Sequence, residues 1–104
     1  MKLSFSPAAR DDLIEIALYI AEDNPVRALA FVDELEARCA GIAGAPGIGT
    51  ARPELGDGIR VLPHGRYLIF YRQVRKVVRV ERVMHSARDI GGEDFDTHSG
   101  AAGN

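Results

Sequence analysis

Eight side chains in the second half of this 104-residue chain are of kinds that can do chemistry: Arg60, Tyr67, Tyr71, Arg79, Arg82, His85, Arg88 and Asp89. Arginine grips phosphate or carboxylate with a planar fork, and a histidine titrating near neutrality can move protons. Together they suit cleavage of an RNA phosphodiester, in which a base activates the 2′-hydroxyl and cations hold the developing charge. A plainer reading stands beside it. A histidine at a strand exit commonly serves as a structural hydrogen-bonder, and Arg88-Asp89 as a local ion pair or cap. Spacing alone does not assign catalysis. Other chemistries are poorly served: Gly41 to Gly49 contains no lysine of a phosphate-binding loop. His64, His85 and His98 have no cysteine or carboxylate at metal-ligand spacing, and no serine sits in a nucleophile elbow. No metal and no cofactor are expected.

These groups lie on one hairpin, so the elements that present it matter. Arg66 to Arg72 carries two tyrosines, a phenylalanine and two aliphatics, the pattern of a strand buried on at least one face. Tyr67, Ile69 and Tyr71 point one way, Leu68 and Phe70 the other. Gln73 to Lys76 reads as a turn, and Val77 to Met84 as the return strand. Its alternation slips near Glu81-Arg82, as a bulge would make it do. Ile59 to Leu62 reads as a strand before the turn Pro63-His64-Gly65. Ala45 to Gly58, with two prolines and four glycines, reads as a loop with one helical turn at Glu54-Leu55.

The first half supplies the cover. Met1 to Phe5 alternates as a short strand. Ser6-Pro7 and Asn24-Pro25 are helix starts, a capping side chain followed by a proline in the first turn. Asp11 and Asp12 follow near the positive end of the first helix dipole. Ala9, Leu13, Ile16, Ala17 and Ile20 form one apolar stripe, widened by Ile14, Leu18 and Tyr19. The second helix turns Ala28, Phe31, Val32, Leu35, Cys39 and Ile42 inward and stops near Gly41 to Gly44. About four residues separate the two helices, so they form an antiparallel hairpin. Cys39 reads as an ordinary core thiol. The result is an α+β domain in two layers, with element order β-α-α-β-β-β and the helical hairpin packed on one face of a mainly antiparallel sheet. A hairpin of helices covers one face only, so the other looks unusually apolar. Residues 91–104 hold few apolar side chains and read as a polar, flexible C-terminal tail after a domain spanning 1–90.

Net charge is −2, but its distribution is lopsided. Residues 1–50 carry four bases and eight acids; residues 52–89 carry nine bases and four acids. Such asymmetry points to an anionic partner for the basic half, or to arginines that keep an exposed sheet face soluble. No apolar run approaches the ~20 residues of a membrane span, and the first residues lack the apolar core of a signal peptide. With one cysteine there is no internal disulfide, so the cytoplasm is the default location.

Several stretches, in order, resemble the ParE branch of the ParE/RelE toxin superfamily, often called plasmid stabilisation proteins. They are Ser6 to Leu13, Ile16 to Ile20, and Asn24 to Ala28 with Phe31. Pro46, Gly47, Gly49 and Pro53-Glu54-Leu55 come next, then Gly58-Ile59-Arg60, Tyr67 to Arg72 and Arg82 to Asp89. The likeness runs over about residues 3–90. It implies the RelE/ParE-like fold and the toxin half of a type II toxin–antitoxin pair, held in a hetero-oligomer by a ParD-like antitoxin that wraps it. ParE-like members are known as DNA gyrase inhibitors and RelE-like members as ribosome-dependent mRNA endonucleases. The nuclease branch relies on lysines and arginines on the sheet, with a tyrosine or histidine near the end. Here no lysine lies between Lys2 and Lys76, and no tyrosine follows Tyr71. The resemblance therefore implies gyrase inhibition rather than an enzyme, without sequence-specific nucleic-acid binding by the toxin alone. A nuclease using His85 and Arg88 is the alternative, and an inactive antitoxin-binding form is another. On this reading Arg60, Arg79, Arg82, His85, Arg88 and Asp89 contact the target, while Ile14, Leu18, Tyr19, Tyr67, Ile69 and Tyr71 meet the antitoxin.

Overall fold

The computed structural model describes residues 1–95. Strand β1 (Lys2–Phe5) leads into α1 (Pro7–Asp23) and α2 (Pro25–Gly44), followed by β2 (Thr50–Ala51), β3 (Arg60–His64), β4 (Tyr67–Val74) and β5 (Val77–His85). The order inferred from the sequence is the order observed, with the two-residue β2 added inside the expected loop and a 3-10 turn at Pro53–Leu55. The sheet runs β1-β5-β4-β3-β2, with β1 parallel to β5 and every other pair antiparallel.

Both helix starts act through their caps. The Ser6 hydroxyl accepts the Ala9 N–H at 2.9 Å and donates to the Glu81 carbonyl at 2.7 Å, fixing the head of α1 to β5. Asn24 closes one helix and opens the next. Its N–H donates to the Ile20 carbonyl at 3.0 Å, and its side-chain oxygen accepts the Arg27 N–H at 3.0 Å. One residue therefore does what four were expected to do. Asp11 and Asp12 lie beyond the first turn of α1, where the helix dipole is already weak.

The hairpin strands run longer than their sequence signals. Pro63 and His64 belong to β3, which tolerates a proline there because β2 pairs only with Arg60 and Val61 and leaves the rest of β3 at the sheet margin. The expected slip in β5 is a bulge: Phe70 pairs with Arg82 and Tyr71 with Val80, leaving Glu81 as the extra residue.

Each face of the sheet has its own apolar cluster. Under the helices, Ile16, Phe31, Leu35, Cys39 and Ile42 pack on Leu62, Ile69, Tyr71, Val78, Val80 and Val83. On the other face Val61, Phe70 and Met84 pack with Leu55, Ile59 and Phe95, and with half-buried Leu68 and Ile90. Two expectations change here. Tyr67, Ile69 and Tyr71 lie on the face that the helices cover, with Ile69 and Tyr71 fully buried and Tyr67 only partly so. The second face is also not left bare, because the Pro53–Leu55 turn and a 3-10 turn at Gly92–Phe95 close over it. Phe95 is fully buried, with its ring 5.0 Å from that of Phe70. The packed chain thus reaches Phe95, past the tail boundary expected at residue 91; residues 96–104 lie outside the described residues.

Cys39 sits in the helix-side cluster, and burial, with the nearby Glu36 charge adding to it, pushes its thiol up to about 12. A folded pKa raised above the unfolded value of 9.0 gives stability that is complete below that value and lost as pH rises towards 12. Near pH 8.5 the native thiol should therefore react with Ellman's reagent at least about a hundredfold more slowly than the urea-unfolded chain. Similar rates in the two states would show that this layer is open.

Candidate functional site

A cleft of about 400 Å³ opens between α1 and the end of the β4–β5 hairpin, lined among others by Glu15, Tyr19, Arg66, Tyr67, His85 and Arg88. Strand register brings its centre together. Tyr67 is paired with His64 on one side and His85 on the other. The Tyr67 and His85 rings meet edge to face at 5.3 Å, and Phe31 of α2 lies 5.2 Å from Tyr67 and 5.7 Å from His64. The Arg66 carbonyl accepts the Ser86 N–H at 2.8 Å, so the turn before β4 is tied to the chain leaving β5.

The protonation pattern follows from this packing. The Nδ1 of His85 accepts the Ala87 N–H at 3.0 Å, which places the proton of the neutral ring on Nε2. Burial, and then the neighbouring Tyr19 hydroxyl, push the Tyr67 phenol above its ordinary 10, although Arg66 pulls the other way. Tyr67 is a hydrogen-bond donor at neutral pH, not a base. Among the described residues no three His, Cys, Asp or Glu side chains gather to hold a metal ion.

The arginines expected to meet a target are mostly held by the protein itself. Arg82 donates to both carboxylate oxygens of Asp12, from Nε at 2.7 Å and Nη2 at 2.8 Å, and to the Asp94 carbonyl at 3.3 Å. Its side chain is 17% exposed, and the Asp12 partnership raises its pKa further. Arg88 donates to Asp94 at 2.9 Å rather than pairing with Asp89, which is exposed. Arg60 reaches back to the Gly49 carbonyl at 2.7 Å, beside the Tyr71 hydroxyl, which donates to Pro46 at 2.7 Å and accepts the Gly49 N–H at 2.8 Å. A Cβ on Gly49 would lie 2.6 Å from that hydroxyl, so the loop can close here only as glycine. Arg79 lies 3.3 Å from Glu81 and is 37% exposed. The cleft therefore unites Tyr19, Tyr67, His85 and Arg88 and does not include Arg60 or Arg79.

The proposed antitoxin residues divide as well. Ile69 and Tyr71 are fully buried and cannot touch a partner; their role is to support the sheet from within. Ile14, Leu18 and Tyr19 stand exposed on α1, joined by Val26 and Leu29 of α2. Between the helices runs a groove lined by Leu13, Ile14, Ala17 and Val32, with Arg10 and Glu36 also on its walls. Four participants are absent from the sequence-based set. Val26 and Leu29 lie off the inward stripe of α2, and that spacing could have revealed them. Arg66 could have been found as the cation heading the central strand. Glu81, 2% exposed and 3.0 Å from Arg72, is marked in the sequence only by the slip in alternation, which signals the bulge but not the burial of its carboxylate.

The model of the family described as the ParE toxin of type II toxin–antitoxin systems, parDE, matches residues 3–90. Among solved structures the chain is similar to one from the chromosomal ParDE toxin–antitoxin system of P. aeruginosa. The TM-score is 0.70 at 23% identity, covering 82% of this chain and 95% of that one, a likeness of fold. No curated protein matches the chain in sequence.

The Tyr67 assignment has a direct optical check. In an alkaline titration at 295 nm, the difference between the wild type and Tyr67→Phe should show a phenolate that appears only above pH 10. A transition at or below that value would restore Tyr67 as a candidate base.

Proposed function

Because the chain belongs to the ParE toxin family of type II toxin–antitoxin systems, we propose that it arrests growth by binding DNA gyrase, and that a cognate ParD-like antitoxin neutralises it by wrapping the helical hairpin. The observation that carries the first part is how the arginines are held. A nuclease needs a free cation over the scissile phosphate. Arg82 is gripped by Asp12 and the half-exposed Arg88 is paired with Asp94, so a phosphate at either would have to displace a carboxylate, and of the cations at this end only Arg66 has no carboxylate partner among the described residues. A protein-binding toxin needs no such vacancy. Gyrase as the target follows from the resemblance to ParE-like members, and it places the action in the cytoplasm.

The exposed apolar face of α1 and α2 supports the antitoxin reading. Ile14, Leu18, Val26 and Leu29 are each more than half exposed. Apolar side chains of that size, beside a groove between two helices, fit the apolar stripe of an amphipathic helix. Tyr19 joins this face to the cleft, so one wrapping partner can cover both.

One observation favours a second reading, a ribosome-dependent nuclease. His85, Arg66 and Arg88 line the same cleft, and the hydrogen bond to Nδ1 leaves Nε2 of His85 as the working nitrogen. The two readings separate when the chain is induced without antitoxin. Gyrase binding predicts SOS induction and loss of supercoiling with intact transcripts, unchanged by His85→Ala. Cut mRNA on ribosomes, abolished by His85→Ala, would establish the nuclease instead. Normal growth at high expression would leave only antitoxin binding.

A further inference from the structure

The far end of the β4–β5 hairpin carries a second surface, with different chemistry. Tyr67 and His85 pair at the cleft end, while Val74 and Val77 pair at the turn, seven residues along β4 and roughly 20 Å away. The turn is only Arg75 and Lys76. Arg75 has a φ of 57°, a conformation that favours glycine or asparagine in a two-residue hairpin connection. Gln73 secures it, its side-chain amide donating to the Arg75 carbonyl at 3.0 Å. An arginine therefore stands at a position where backbone preference alone would place glycine. The backbone does not call for an arginine here, and what the side chain adds to the turn is charge.

Other cations gather around this turn. Lys2 pairs with Val77, and Ser4 with Arg79, so Lys2, Val77 and Arg79 share the face turned away from the helices. Lys2, Arg75 and Lys76 surround an open hollow of about 750 Å³ whose apolar lining is Met1 and Val77, with exposed Val74 beside it. Glu81 lies between Arg72 and Arg79, 3.0 and 3.3 Å from them, and is almost fully buried. Arg72 donates from Nη1 to the Asp57 carbonyl at 3.0 Å and keeps Nε at ion-pair distance from Glu81, with Nε and Nη2 buried and not hydrogen-bonded among the described residues, whereas Arg79 keeps part of its fork in solvent.

We propose that this end of the sheet, with Lys2, Arg75, Lys76 and Arg79 around Met1, Val74 and Val77, is the surface that engages the target, through an acidic segment that also carries apolar side chains. Carboxylates meet the cationic rim, and the apolar side chains of the segment fill the hollow. A nucleic-acid backbone supplies charge but nothing to bury against Met1 and Val77, which is why the occupant is protein. The surface differs in chemistry and layer from the apolar helical face, so the two serve two partners: the antitoxin on the helices and the target on the turn. Arg60 and Arg82 are engaged within the fold, whereas among the described residues Lys2, Arg75 and Lys76 make no ion pair, which leaves their charge for a partner. The inference rests on the reading that the target is gyrase.

The test compares wild type, Arg75→Gly and Lys76→Glu in gyrase supercoiling inhibition, in binding to immobilised gyrase and to a duplex DNA, and in affinity for the antitoxin. Arg75→Gly should melt no lower than wild type, since glycine suits that backbone. Both variants should nevertheless lose at least about tenfold in gyrase binding and inhibition, one lost charge contact being of that order, with antitoxin affinity unchanged. Folded variants that inhibit gyrase like the wild type would overturn the proposal and leave the gyrase reading intact. Lost antitoxin affinity with full inhibition, or lost binding to DNA alone, would overturn it by naming a different occupant. A wild type that neither binds nor inhibits gyrase would remove both.

Discussion

The fold depends on what happens where β1 ends. That strand pairs with β5 only as far as Val80, and beyond it the outer edge of β5 has no strand neighbour among the described residues. Asp12 of α1 takes the place of the missing strand. One carboxylate accepts the Val83 N–H at 2.9 Å and both forked donors of Arg82. Arg82 in turn reaches the Asp94 carbonyl in the segment that covers the opposite face of the sheet. Helix, sheet edge and covering segment are thus joined through one guanidinium. Opposite charges this well matched and mostly shielded from water hold strongly, and removing one partner alone typically costs about 3–5 kcal/mol because the other is left buried and unpaired.

A second constraint sits one residue away. The bulge at Glu81 turns a carboxylate into a nearly closed site between Arg72 and Arg79, which face each other across β4 and β5. Two like charges directly opposite on a sheet repel each other, and Glu81 removes that conflict. Its own carbonyl accepts the Ser6 hydroxyl, so the bulge also sets where α1 begins. The arginine-rich hairpin is therefore balanced from inside by three carboxylates, Asp12, Glu81 and Asp94. Each lies in a different part of the chain.

What the sequence made legible was local. Ser6-Pro7 and Asn24-Pro25 announce helix starts because capping is a matter of a few adjacent residues, and the slip at Glu81 shows because alternation in a strand has a period of two. The same period says that Tyr67, Ile69 and Tyr71 share a face without saying which face the helices cover, so the pattern alone is equally consistent with a partner-facing row. Asp12 and Arg82 lie seventy residues apart, and no local pattern joins them. The uneven charge of the two halves, read as a sign of an external partner, is in part internal neutralisation across the fold. Phe95 is a single aromatic in a polar tail and carries no periodic signal, yet one ring is enough to seal a sheet face when Phe70 and Met84 lie beneath it.

The functional picture follows from which groups the fold has already engaged. Most arginines that looked able to hold a phosphate are engaged by carboxylates or by loop carbonyls, and the surfaces that remain open are an apolar helical face, a cationic turn and the His85 cleft with exposed Arg66. The claim beneath this picture is that Arg82 belongs to the fold and not to a target. A double-mutant cycle on urea unfolding, using Asp12→Ala, Arg82→Ala and the pair, tests it most directly. The account predicts large single losses and a coupling of about 2 kcal/mol or more, with the double variant little worse than either single one. Single losses below about 1 kcal/mol that simply add would contradict it and return Arg82 to the surface.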